Sequence, residues 1–160
     1  MKTRNATIAD FEEILAIYER ARAYMKKTGN PDQWKSTYPT AEIVKKDIKD
    51  ENLYVLYDED GIEGVFAYIN GEDPTYNYIE GAWLDDAPYC AVHRVASAGK
   101  KKGVLCNLMD YAFSRSHNIK IDTHRDNAVM QHQLEKYGFQ RCGIIYLENG
   151  DDRIAYQMKK

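Results

Sequence analysis

The stretch HRVASAGKKKGVLCNLMDYAFS, residues 93–114, changes character at its middle. With Tyr89 to Val92 before it, the run up to Ala96 is continuous and apolar apart from His93 and Arg94, which reads as a buried strand. Beyond Gly103, the residues Leu105, Leu108, Met109, Ala112 and Phe113 recur at helical spacing, so a helix is expected from Val104 to about His117. Between the two lies Ser97–Gly103, with two glycines and the lysines Lys100, Lys101 and Lys102. A helix start presents unpaired amide donors and positive partial charge, and so receives anions. The loop is not a P-loop, because no Lys-Ser/Thr follows its last glycine. It is not the dinucleotide fingerprint either, because G-x-G-x-x-G is absent. Taken alone, it reads sooner as a solvated lysine turn.

Working outward, Ile119–Thr123 reads as a second strand, which makes a parallel pair with a crossover helix. Asn127 opens another helix that ends at Tyr137-Gly138. Phe139–Leu147 and Arg153–Met158 close the chain as a hairpin across Asn149-Gly150. On the upstream side, Lys2–Ala6 reads as a short strand. Thr7 and Asp10 form a capping box with Asp in the Glu place, and a helix from Phe11 to about Lys27 follows, stopped at Gly29-Asn30-Pro31. Thr40 caps a shorter helix carrying Ile43, Val44 and Ile48 on one face. Leu53–Tyr57 and Val65–Ile69 are strands bounded by turn residues, whereas Glu72–Gly81 is irregular and broken by Asp73-Pro74. The expected fold is α/β, a mixed sheet with helices on both faces, as one domain over residues 1–160.

Composition narrows the function classes. An apolar share of 44% in 160 residues supports a real core, and a net charge of −3 argues against a nucleic-acid binder. No apolar run has the length of a membrane span, and the start lacks a signal-peptide core. Cys90, Cys106 and Cys142 are odd in number and widely spaced, so neither a disulfide framework nor a metal site is expected. A reduced, cytoplasmic protein without a resident metal is the expectation.

Residues 93–114 resemble motif A of the GNAT superfamily, the acyl-CoA-dependent N-acetyltransferases: a strand, then Gln/Arg-x-x-Gly-x-Gly/Ala, then a helix. DNAVMQHQLEKYGF, residues 126–139, resembles that family's motif B. The resemblance implies a sheet splayed between its two central parallel strands. It implies acetyl-CoA as co-substrate, with its pantetheine arm against Val95, Ala96 and Ser97. The pyrophosphate would meet Lys100, Lys101, Lys102, Gly103, Val104 and Leu105, with Asn127 nearby. Two departures stand out. Leu105 replaces a Gly or Ala and is expected to crowd the pyrophosphate. Leu134 falls where the family often has a Tyr general acid; the nearest tyrosine is Tyr137, almost a helical turn on, and water or another residue is the other proton source.

Acetylation of an amine needs a base, because a protonated amine is not nucleophilic. His93 is the first candidate, since imidazoles titrate near neutrality; a hydrogen-bonded structural histidine is the alternative. Glu80 acting through water is the second. Strand alternation predicts that His93 and Arg94 point to opposite faces, so that only one sees the cleft. Arg94 would bind a substrate carboxylate or a structural acid. Trp34, Tyr38, Asp73, Tyr76 and His124 are the candidate acceptor-pocket residues, with core, rim or turn roles as the plainer readings. The acceptor would be a small-molecule or peptide primary amine; no nucleic acid or membrane partner is expected, and a homodimer stays open. The rival reading within the fold is a non-catalytic acyl-CoA sensor, motivated by Leu134.

Overall fold

The structure, a computed structural model, describes residues 1–160. A single sheet of eight strands organises it. The strands are β1 (Lys2–Asn5), β2 (Leu53–Asp58), β3 (Gly61–Asn70), β4 (Glu80–Gly81), β5 (Cys90–Ser97), β6 (Asn118–Thr123), β7 (Gln140–Tyr146) and β8 (Asp152–Lys159), in the spatial order β1-β2-β3-β5-β6-β8-β7-β4. Every pairing is antiparallel except β5 with β6. The crossover between these two is α3 (Val104–Arg115), as the period change in the sequence predicts.

The helices cover both faces. On one face, α1 (Phe11–Lys27) and α2 (Ala41–Lys49) bury Ile14, Ile17, Tyr18 and Val44 against Leu53, Val55, Val65, Ala67 and Ala96. On the other, α3 and α4 (Ala128–Tyr137) bury Leu105, Leu108, Met109 and Leu134 against Leu56, Phe66, Val92, Ile121 and Tyr156. The period-2 alternation of the strands feeds both cores at once. Helix starts follow local chemistry. The Thr40 hydroxyl accepts from the Ile43 amide at 3.2 Å, and the Asn127 side chain accepts from Met130 at 3.0 Å.

Several expectations needed adjustment. Strand β3 begins four residues earlier than its apolar run, at Gly61. Gly64 lies inside it because a Cβ there would sit 2.6 Å from a Val104 methyl, so glycine is what lets α3 approach the sheet. The irregular segment after β3 contains a short 3-10 turn, Pro74–Tyr76, and the two-residue strand β4, which pairs with β7. The three cysteines are free, in β5, α3 and β7. No helix is long and apolar enough to cross a membrane.

Candidate active site

Strands β5 and β6 are joined at only two register positions, Cys90↔Ile119 and Ala91↔Lys120. Beyond these they part, and the main chain of β5 from Val92 onward has no β6 partner. A cleft of about 570 Å³ opens there, between Val92–Val95 of β5 and Ile121–Thr123 of β6. That volume is in the range of ordinary small-molecule sites. The α1–α2 loop closes one side of the cleft with Trp34 and Tyr38, and Asn127 at the start of α4 reaches it from another.

A β-bulge sets the chemistry of this cleft. Ala67 pairs with His93 and Val65 with Ala96, so Phe66 alone stands opposite both Arg94 and Val95. Arg94 takes the left-handed conformation, φ 50°. The extra residue breaks the alternation, and both His93 and Arg94 line the cleft on the α1–α2 side. The expectation that they point to opposite faces is therefore corrected: strict alternation ends where a strand carries an extra residue.

Arg94 is occupied. Its guanidinium holds the Asp47 carboxylate of α2 through two bonds, 2.7 and 2.9 Å, and the Tyr38 hydroxyl at 3.1 Å. Burial opposes its charge, but Tyr38 and Asp47 outweigh burial and push its titration upward. Of the two roles the sequence allows it, the structure shows the bond to a structural acid.

His93 sits between two carboxylates. Its Nε2 lies 2.7 Å from Asp73 Oδ2, and its Nδ1 lies 3.9 Å from Asp122 Oδ2. Burial would raise the Asp73 carboxyl, but the His93 bond and the two bonds from Thr75 prevail and hold it at about 2. Asp73 is thus an anion at neutral pH. A neutral imidazole facing it carries its proton on Nε2 and keeps its lone pair on Nδ1. The Tyr76 hydroxyl donates to Asp122 at 2.7 Å, and burial, followed by the Asp122 charge, drives that phenol far from ionising.

The other candidates distribute unevenly. Trp34, Tyr38, Asp73, Arg94, Val95 and Asn127 line the cleft with His93. Tyr76 does not; it is buried behind His93 and braces Asp122. His124 is buried in the β6–α4 turn, where its Nδ1 accepts the Asp126 amide at 3.0 Å. Glu80 lies on β4, with β7, β8 and β6 between it and β5, so it cannot reach His93 through a water. Tyr137 lies outside the cleft and donates its hydroxyl to Asp110 of α3 at 2.7 Å, while Leu134 is fully buried in the core. Asp122, near the end of β6, lines the cleft as well, and its part in the site appears once β5 and β6 are placed side by side.

At the phosphate-type loop, Gly103 is the N-cap of α3 at φ 79°, with no side chain capping the helix amides. Ala96 and Ser97 lead into it at the end of β5. Lys101 binds Asp58 at 2.5 Å and Asp60 at 2.7 Å, and Lys100 lies 3.4 Å from Glu63. These three carboxylates of the β2–β3 hairpin converge, and the lysine ammonium groups already stand among them. Lys102 is exposed. Leu105 and Val104 point into the α3 core, so the expected crowding of an anion by Leu105 does not arise.

No family model and no curated protein matches this sequence. Solved structures do match its fold. An acetyltransferase of the GNAT family from Streptococcus agalactiae is 30% identical, with 99% of this chain and 95% of that one covered at a TM-score of 0.90. The ribosomal-protein-alanine N-acetyltransferase from Brucella melitensis is 20% identical, with both chains covered in full at a TM-score of 0.67. The protein yncA from Salmonella typhimurium, solved with acetyl-CoA, is 15% identical over 99% of this chain and 92% of its own at a TM-score of 0.62. The last two show a shared fold; the first, at its identity and coverage, shows kinship, and the chain belongs to the GNAT family of acetyltransferases.

Proposed function

We propose that the protein is an N-acetyltransferase that moves the acetyl group of acetyl-CoA to a primary amine by direct attack. The observation that carries this reading is His93, held by an ionised Asp73, in the cleft where β5 and β6 part. The residues fit the co-substrate: the α3 amides start at an uncapped Gly103, and the main chain of Val95–Ser97 is free of β6 and available for strand-like pairing with a pantetheine arm.

In the reaction, His93 Nδ1 accepts a proton from the acceptor's ammonium group. The freed amine attacks the thioester carbonyl carbon; a C–N bond forms, the C–S bond breaks, and the thiolate leaves. Asp73 stabilises the imidazolium and fixes the ring, as a carboxylate does for a catalytic histidine. No tyrosine of α4 reaches the cleft, so the leaving thiolate takes its proton from water or from the imidazolium. The metal-free expectation of the sequence fits this chemistry, which needs no Lewis acid.

Thiol release from acetyl-CoA against a panel of amines is the test. Release that depends on an amine supports transfer. Binding of acetyl-CoA without release from any amine would favour the acyl-CoA sensor reading instead.

A further inference from the structure

Arg153 is a buried cation with no counter-ion. It lies on β8 with only 5% of its surface exposed, and it lines the same cleft as His93. Its guanidinium donates to two main-chain carbonyls, Asp152 at 2.8 Å and Gln33 at 3.0 Å. No carboxylate lies within ion-pair distance of it. Glu148 and Asp151 line the cleft too, yet neither pairs with it. The contrast with Arg94 is direct, since that second cleft arginine is neutralised by Asp47 through two bonds.

An unpaired buried charge is expensive, and two carbonyl dipoles satisfy only part of a five-donor fork. Such a group is retained at that expense where a ligand supplies the missing anion. Its direction is fixed by the strand. Ile154 and Tyr156 pack into the α3–α4 core, so Arg153 projects to the opposite face, where Gln33 of the α1–α2 loop receives it. His93, opposite Ala67 of the α1–α2 core, lies on that same face and holds Asp73 there. The cleft therefore offers two separate electrostatic environments on one side of the sheet. At one, Asp73 and Asp122 flank the imidazole and suit an ammonium group; at the other, Arg153 suits an anion.

We infer that the acceptor is an amino carboxylate, with its amine at His93 and its carboxylate on Arg153. This rests on the transferase reading above and narrows its acceptor class. A free amino acid and a short peptide with a free C-terminus share this chemistry, so both belong in the test.

The experiment compares matched acceptors on the full chain: free amino acids of increasing amine-to-carboxylate distance, dipeptides, and the carboxamide of each. With acetyl-CoA, at least one acid is expected to exceed its amide in kcat/KM by roughly tenfold or more. Arg153→Met should abolish that preference by raising the KM of the acid, with the KM of acetyl-CoA unchanged, and Arg153→Lys should keep part of it. Equal use of acids and amides by the native protein would overturn the inference, and needs no variant that folds. Calorimetry with coenzyme A present separates it from the transferase reading. Acid-selective binding that Arg153→Met removes sustains the carboxylate site even where no transfer is seen, and failure of transfer then counts against the enzyme reading alone. Binding without preference, or no binding of any acid, overturns the site. Free amino acids and peptides are told apart by which series shows the preference.

Discussion

The hydroxyl of Tyr18, buried in α1, donates to the main-chain carbonyl of Arg94 at 2.8 Å. The bond ties a helix to the residue at which β5 bulges. A bulge leaves main-chain groups outside the ladder, and this one is satisfied by a side chain distant in sequence. Burial pushes the Tyr18 phenol upward, so it remains a donor throughout the working range. Tyr18→Phe leaves the carbonyl buried and unpaired and should cost about 1–3 kcal/mol in urea denaturation. An unchanged midpoint and slope would show that the bulge holds without it.

His93→Ala should lower the turnover number by roughly two to four orders of magnitude while acetyl-CoA still binds. Asp73→Asn should lower it less, because the ring keeps a hydrogen-bond partner at Nε2 but loses the anion that stabilises the imidazolium formed in the reaction. A rate profile identical in all three proteins would remove His93 as the base.

Asp73 also predicts a stability signature. Its folded-state value of about 2 lies below that of an ordinary carboxylate. Its contribution is therefore complete above the unfolded value and disappears as pH falls from about 4 to about 2. Denaturation at stepped pH should show a shallower loss across that window in Asp73→Asn than in the native chain. Parallel curves would mean that the His93 and Thr75 bonds do not survive in solution.

The sequence carried the scaffold further than the site, for a physical reason. Local period and caps define α1, α3, α4 and the strand flanking each, and the anion loop shows in glycines and lysines that are neighbours in the chain. The site depends on pairings across long separations. The bulge at Arg94 exists only relative to β3, which no pattern within β5 reveals. Glu80 precedes β5 by ten residues yet sits at the far edge, because its strand pairs with β7. Arg153 looks like any charged strand residue until the positions of Asp47 and Gln33 show which arginine has a carboxylate and which has none.

Gly103 and Lys101 should differ in their effect on acetyl-CoA affinity. A Cβ at Gly103 has room, its nearest neighbour being Asn107 at 3.6 Å, but φ 79° is strained for any other residue. Gly103→Val should therefore displace the α3 amides and weaken binding about tenfold or more. Lys101→Ala removes a charge already committed to Asp58 and Asp60, and should weaken it only a few-fold. Calorimetry on both variants decides the order, and a larger loss for Lys101→Ala would place the phosphate on the side chain instead of the backbone.

Glu63 supplies a stability test of the same loop. It is fully buried, and neither carboxylate oxygen accepts a hydrogen bond. Only Lys100 at 3.4 Å and Lys101 at 3.9 Å offset its charge. Removing both ammonium groups, in Lys100→Met with Lys101→Met, strands a buried anion, which should lower the urea midpoint clearly below that of the native chain. Adding Glu63→Gln should recover much of that loss, because the amide carries no charge to neutralise. If the lysines served only an incoming phosphate, the double variant would unfold at the native urea concentration and Glu63→Gln would restore nothing. The expected pattern, a loss with rescue, would mean that the loop is held in place by the β2–β3 hairpin before any ligand arrives.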